Sequence, residues 1–256
     1  MIKPSSLSRH QSVRSALAVA VAALTSLPIT AMADASFGLA VAQSSQPYRS
    51  YDNDTIPAPI FSWEGDRFFF RGTTLGLKIS EGQTSSLSLT ASPLLNRYRP
   101  EDSSDWRMRQ LDDRRFLATA GAEWRLVGSW GVVNAKAEAE VTGVGGVFGD
   151  LKYSYPLSAG AVTLLPEIGA TYQSAELVRH YYRVSTSEAL RSGFASYNPG
   201  DAVTPYFGVT ALLPLGERWT ATGSLRRTVL SDSITDSPMT NSGHLDAIVL
   251  GLSRRF

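Results

Sequence analysis

Val133-Asn134-Ala135-Lys136-Ala137-Glu138-Ala139-Glu140-Val141 sets an apolar side chain at every odd position against a polar or charged one at every even position. Strict alternation is the period of a β-strand, whose successive side chains point to opposite faces. Three alanines stand on the apolar face, whereas Lys136, Glu138 and Glu140 carry whole charges on the other. The same scheme recurs on both sides of this run. In Ser85–Leu95, Leu87, Leu89, Ala91, Pro93 and Leu95 oppose Ser86, Ser88, Thr90 and Ser92. In Phe116–Leu126, alanines 118, 120 and 122 with Trp124 oppose Thr119, Glu123 and Arg125. Val147–Tyr155, Val162–Gln173, Val203–Leu213 and Trp219–Leu230 follow suit.

The runs are about ten to thirteen residues long, against roughly five or six for a strand of a soluble protein. About nine to eleven residues are what a tilted strand needs to cross a bilayer. Trp124, Trp130, Tyr153, Tyr155, Tyr172 and Trp219 lie near the ends of the apolar faces, where interfacial girdles belong. A secreted sandwich or lipocalin-like barrel also alternates, but its apolar face packs a core and calls for bulky branched side chains. Small apolar residues opposite full charges fit a lipid-facing band around a polar lumen. The pattern therefore predicts an all-β protein, an antiparallel up-and-down transmembrane barrel of about 10–12 strands.

The N-terminus supports export. Lys3, Arg9 and Arg14 precede the apolar segment Ala16–Leu27, and Ala31-Met32-Ala33 is a small-x-small cleavage site. Residues 1–33 read as a signal peptide and 34–256 as the barrel, with the mature chain starting near Asp34. Removing three basic and no acidic residues turns the formal charge of +1 into −2. That balance carries no electrostatic footprint for nucleic acid. The absence of cysteine excludes a disulfide framework, thiol chemistry and a lipoprotein anchor.

Short turn-forming connections appear at Glu64–Asp66, Gly82-Gln83, Gly128-Ser129, Ser158–Gly160 and Leu215–Glu217. Long polar ones run over Ser44–Thr55, Arg97–Asp113, Ala175–Asp201 and Ser231–Gly243. Short periplasmic turns and long external loops are the expected asymmetry. The strand count then comes to eleven, whereas single-chain bacterial barrels have even numbers. Either Arg67–Ile79 breaks near Gly72, or a strand hides in Glu176–Val184, or Ala35–Gln43 is not part of the wall. The last strand, Leu245–Phe256, ends on Phe256, as in barrels that present a terminal aromatic to the barrel assembly machinery; Arg254 departs from that pattern.

Pro57-Ala58-Pro59-Ile60-Phe61, then Asp66-Arg67-Phe68-Phe69-Phe70-Arg71-Gly72 and Leu75-Gly76-Leu77, resemble the MipA/OmpV family of outer-membrane proteins. Tyr181-Tyr182, Glu188-Ala189, Arg191-Ser192-Gly193 and Tyr197 look like its long-loop motif. Asp232 with Asp236-Ser237-Pro238, and the terminal Arg255-Phe256, match as well. The resemblance implies a scaffold that joins a lytic transglycosylase to a penicillin-binding protein, as its founding member does. Other members are linked to osmotic response, adhesion or antibiotic uptake, so a narrow small-solute channel is the alternative. The family has no accepted catalytic residues to carry over.

An outer-membrane enzyme generally needs a histidine base. The mature chain offers His180 and His244, both in loop regions, with Asp232, Asp236, Ser237, Ser187 and Asp246 nearby in sequence. No G-x-S-x-G or metal-ligand spacing occurs, so no cofactor or metal is expected. The lumenal charges form the richer constellation: Glu123, Arg125, Lys136, Glu138, Glu140, Asp150, Lys152, Glu167 and Arg226 stand on polar faces, and their mixed signs predict cross-strand pairing. Arg67 and Arg71 around Phe68-Phe69-Phe70 read as an interfacial belt or a docking patch. Asp112-Asp113-Arg114-Arg115 reads as a solvated run, or as a contact for outer-membrane lipids through lipopolysaccharide phosphates.

Overall fold

A computed structural model describes residues 35–51 and 54–256. The expected signal peptide, residues 1–33, and its expected cleavage site lie outside the described residues.

The described chain closes into an antiparallel barrel of twelve staves. The wall runs through β1 (Ala35–Ser44), β2 (Asp54–Glu64), β3 (Phe68–Arg71), β4 (Thr74–Glu81), β5 (Ser85–Leu94), β6 (Leu117–Gly128) and β7 (Gly131–Glu140). It continues through β8 (Val147–Ser154), β9 (Leu157–Ala159), β10 (Val162–Gln173), β11 (Ala202–Leu215), β12 (Trp219–Val229) and β13 (His244–Arg255). β8 and β9 both pair with β10 and form one stave interrupted at Tyr155-Pro156. β1 pairs with β13, from Ser36↔Arg255 to Ser44↔Ala247, and seals the ring.

The side chains are arranged inside out relative to a soluble barrel. On β1, Leu39 is 64% exposed and Val41 51%, while the intervening Ala40 and Ala42 are 4% and 2%. Large apolar groups thus cover the outer wall, and small or polar ones face the lumen. Only a hydrocarbon solvent makes that favourable, since each exposed leucine would otherwise forfeit about 1.5–3 kcal/mol of burial. Exposed Trp63, Phe68, Trp124, Trp130, Tyr153, Tyr155 and Trp219 gather at the end with short turns. Tyr172 and Phe116 mark the opposite rim.

The stretch Arg67–Ile79 is two strands, and this break makes the stave number even. Gly72 takes a left-handed φ of 64° at the turn between β3 and β4. The parity of the outward residues slips there, from Phe68 and Phe70 to Leu75 and Leu77. The turn takes two residues, Gly72 and Thr73, and so shifts the apolar alternation by one position.

Prolines fall where the ladder stops. Pro166 stands opposite the Tyr155-Pro156 interruption, and Pro205 lies one residue past the last registered pair with β12, Tyr206↔Thr228. Pro57, Pro59 and Pro93 sit where β2 and β5 lack a second partner. A proline has no N–H for a ladder bond and is tolerated only on such an edge.

The long connections fold into a cap over the outer end. It contains α1 (Ala175–Tyr182), α2 (Thr186–Ser192) and α3 (Asp232–Thr235), with two 3₁₀ turns at Pro100–Asp102 and Met108–Gln110. The Glu176–Val184 region is thus helical for most of its length and hides no strand. Tyr48, Tyr98, Met108, Leu177, Tyr181 and Met239, from all four long loops, are among the residues of one buried apolar cluster. This cluster, not the lumen, is the hydrophobic core of the molecule.

Candidate functional site

The lumen is built from the strand registers. One row around the inner wall reads Glu123, Lys136, Asp150, Thr171 and Thr204, each directly opposite the next. The row nearer the short turns reads Arg125, Asn134, Lys152, Gly169 and Tyr206. Glycine at 169 leaves room for the Tyr206 ring, since a Cβ there would lie 2.5 Å from its hydroxyl. The Tyr206 hydroxyl donates to Asp150 at 3.0 Å. Gly208 serves Arg226 in the same way: the guanidinium reaches across β11 to Glu167 Oε1 at 2.6 and 2.8 Å. Arg226 also stacks 4.5 Å from the Tyr206 ring.

Glu138 is nearly fully buried. It accepts from Thr90 at 2.7 Å and Thr119 at 2.6 Å, and Lys136 lies 3.2 Å away. Such pairs lose hydration on burial and recover it only through complete hydrogen bonding, which Glu138 has. The pairings therefore run along β7 and across β10–β12; Lys136 and Asp150 are opposite in register, but Lys136 bonds Glu138.

Two sets of expected site residues are arranged differently from the sequence reading. Glu140 faces inward but organises a loop: its carboxylate takes the N–H groups of Gly143, Val144 and Gly145 at 3.1, 2.8 and 2.7 Å. The stretch Arg67–Arg71 does not form one belt. Phe68 faces lipid, while Phe69 is 1% exposed and lies against Gly76 in the lumen. Arg71 stacks 4.0 Å from the Phe69 ring and pairs with Glu64. Alternation splits the motif, as it must on a strand.

The long-loop motif assembles the cap. Tyr181 and Tyr182 enter the buried cluster. α2 begins with a capping box on Ser185 and Glu188 and ends on Gly193, with a left-handed φ of 74°. Ser192 Oγ bonds Glu188 O at 2.7 Å, and Arg191 reaches Asp112 at 2.7 Å. Tyr197 pairs by its backbone with Val184. The run 112–115 is not simply solvated: Arg114 is buried and bonds Glu188 at 2.5 Å. Burial pulls the Glu188 carboxyl upward, but the N–H groups of Asp112 and Ser185 and the Arg114 guanidinium outweigh it and hold it at about 2. Sequence reasoning saw both residues but not their meeting, because 74 positions separate them.

His180 Nε2 lies 3.0 Å from Arg115 O, and burial lowers its affinity for a proton. His244 lies 3.7 Å from Asp246, whose two oxygens already take Arg227. Ser237 Oγ donates to Tyr182 O. Phe256, at the far end of β13, bonds Ala35 O through its N–H and carries Arg254 over its ring.

Under the cap, the lumen holds a cavity of about 250 Å³. Phe148, Tyr182, Leu230, Ile234 and Leu245 line its outer part, and the charged rows line the rest. Tyr206, Thr90, Thr119 and Gln173 belong to this lumen although the charge inventory omits them. Their inward parity on β11, β5, β6 and β10 is the signal that marks them.

Comparison with known proteins places these features in a family. Residues 37–256 match the family model described as MltA-interacting protein MipA. The outer membrane protein YiaT of Escherichia coli strain K12 is 39% identical over 240 residues, 92% of this chain and 98% of the relative. The MltA-interacting protein of the same strain is 34% identical over 224 residues, 86% and 90% of the two chains. Among solved structures, the translocator domain of the autotransporter NalP from Neisseria meningitidis superposes with a TM-score of 0.45 at 11% identity, covering 89% of this chain and 90% of that one. An outer membrane channel from Pseudomonas putida F1 gives 0.44, also at 11%, with 91% and 98% covered. An inside-out barrel over residues 35–256, matched along that length by this profile and these relatives, is an outer-membrane protein, and the chain belongs to the MipA (MltA-interacting protein) family.

Proposed function

We propose that the protein works as a scaffold of the cell envelope, not as an open conduit. The observation that carries this reading is the cap: four loops share one buried apolar cluster across the outer mouth. A barrel sealed from outside offers its surfaces, not its bore, as working parts. The short-turn end faces the periplasm by the usual asymmetry. Its turns, around Asp66-Arg67, Gln83, Ser129-Trp130, Gly160 and Glu217-Arg218, are where a periplasmic partner would dock. By family resemblance those partners are a lytic transglycosylase and a penicillin-binding protein, which the scaffold would link at the murein layer. Phe256 serves as the signal to the barrel assembly machinery, and lipopolysaccharide surrounds the outer half of the wall. We assign no catalytic role.

The cavity favours one second reading, a narrow small-solute channel. Planar-bilayer recording of the purified barrel, beside cross-linking to murein enzymes in living cells, separates the two. The scaffold predicts a silent bilayer and a cross-linked murein enzyme. Steady conductance steps with no such cross-link would reverse the assignment.

A further inference from the structure

The cavity under the cap has a roof and a floor of different chemistry. Phe148, Tyr182, Leu230, Ile234 and Leu245 form the roof. Tyr182, Leu230 and Ile234 belong at once to this roof and to the apolar cluster that holds the cap together. Below them, Thr171 and Thr204 stand directly opposite on β10 and β11 and bond each other through their hydroxyls. Only one proton can lie between the two oxygens, so the pair keeps one to give. Gln173, two residues along β10 on the same face, lines the cavity with a buried Oε1 that meets no donor among the described residues. An unmet buried acceptor costs about 1–3 kcal/mol, so an occupant that supplies a donor is favoured there.

Further in, the charges are matched. Arg71 pairs with Glu64, Lys136 with Glu138, and Arg226 with Glu167. Lys152 interacts with Glu167, Asp150 and Glu123, and Glu123 also lies against Arg125. Asp150 takes the Tyr206 hydroxyl at 3.0 Å. The unmet groups at this depth are of both kinds: Asn134 Oδ1 is an acceptor, and Arg125 Nε, opposite it in register, is a donor. An occupant of either net charge would leave one buried charge without a counterpart. A hydroxyl both donates and accepts, so it answers such groups without disturbing the ion pairs.

We propose that this cavity is a binding site for a neutral monosaccharide in its pyranose form. The apolar C–H face of the ring lies against the roof, chiefly Phe148 and Tyr182, and its hydroxyl edge meets Gln173, Thr171 and Thr204. A cavity of about 150 Å³ holds the six carbons of benzene, so 250 Å³ suits about ten non-hydrogen atoms, the size of a pyranose. The roof is part of the cap, so the cap lifts to admit the sugar, and the bound sugar holds the cap down. The site stands apart from the scaffold reading, whose docking surface is at the other end of the barrel.

The test uses the folded barrel in phosphatidylcholine nanodiscs, with empty nanodiscs subtracted. D-Glucose, D-galactose and D-mannose are titrated calorimetrically at about pH 6, where an amino sugar is protonated. Their 2-amino and uronate counterparts, which carry one positive or one negative charge on the same ring, are titrated beside them. At least one hexose binds, and both of its charged counterparts bind at least tenfold more weakly. Hydrogen exchange locates it: at about ten times its Kd, the hexose raises the protection of the α1 and α3 amides about tenfold, as linkage requires. Gln173→Leu removes the unmet acceptor and weakens binding at least tenfold. No binding by any of the three hexoses, or a charged counterpart within tenfold of its parent, would overturn the ligand assignment. Binding without that protection, or a folded Gln173→Leu variant within tenfold of the unmodified protein, would overturn the site. Should the variant fail to fold, the charged counterparts and the exchange measurement decide. None of these outcomes touches the cross-linking to murein enzymes on which the scaffold reading is judged.

Discussion

At the scale of single residues, the molecule depends on which polar groups find partners out of water. Glu188 shows this most sharply. Its depressed carboxyl contributes stability to the cap above its unfolded value near 4.5, and that contribution is lost as pH falls through about 2. The protection factors of the α2 amides, that is exchange relative to the unstructured rate at the same pH, should therefore be high at neutral pH and fall on acidification across that window. Glu188→Gln should strip the acid dependence and leave Arg114 buried without its charge partner, at a cost of about 3 kcal/mol. Unchanged exchange in the variant would show that the pair does not hold the cap. Glu140 illustrates the same economy at the β7–β8 loop, where one carboxylate collects several backbone donors that positive-φ glycines turn toward it.

At the scale of the element, a strand is a two-sided object, and its two sides obey different solvents. β7 carries Ala137 to lipid and Asn134 to the lumen. Arginine at Ala137 should cost about 2–4 kcal/mol near the bilayer midplane, while arginine at Asn134 should cost far less. Denaturant unfolding of both variants in bilayers measures the difference, and equal penalties would mean the faces are reversed. The same two-sidedness divides the phenylalanine run: Phe68 meets lipid and Phe69 meets Arg71. Proline placement follows from the same geometry, because a residue without an N–H can stand only where no neighbour asks for one.

At the scale of the whole molecule, the barrel and its cap are distinct layers with different cohesion. The wall is held by backbone ladders and by lipid, and the cap by an apolar cluster drawn from four loops. Replacing residues 175–201 with a short Gly/Ser turn should leave the ladders intact, since β10 and β11 pair directly through eleven registered positions. The shortened barrel should then conduct steadily in planar bilayers where the intact one is silent. A silent shortened barrel would mean that the lumenal ion pairs alone close the bore.

Alternation by itself determined that the chain is a membrane barrel, which residues face lipid and which face the lumen, because side-chain direction on a strand is a local property of the backbone. The turn-forming residues between the alternating runs also marked the short-turn end. Only the tertiary structure decided that Arg67–Ile79 is a hairpin, that Arg114 meets Glu188, and that β2 runs past that hairpin at Pro57 and Pro59. Those features depend on which strand or loop lies opposite which, and partners tens of residues apart are chosen by closure of the ring, about which a local period carries no information.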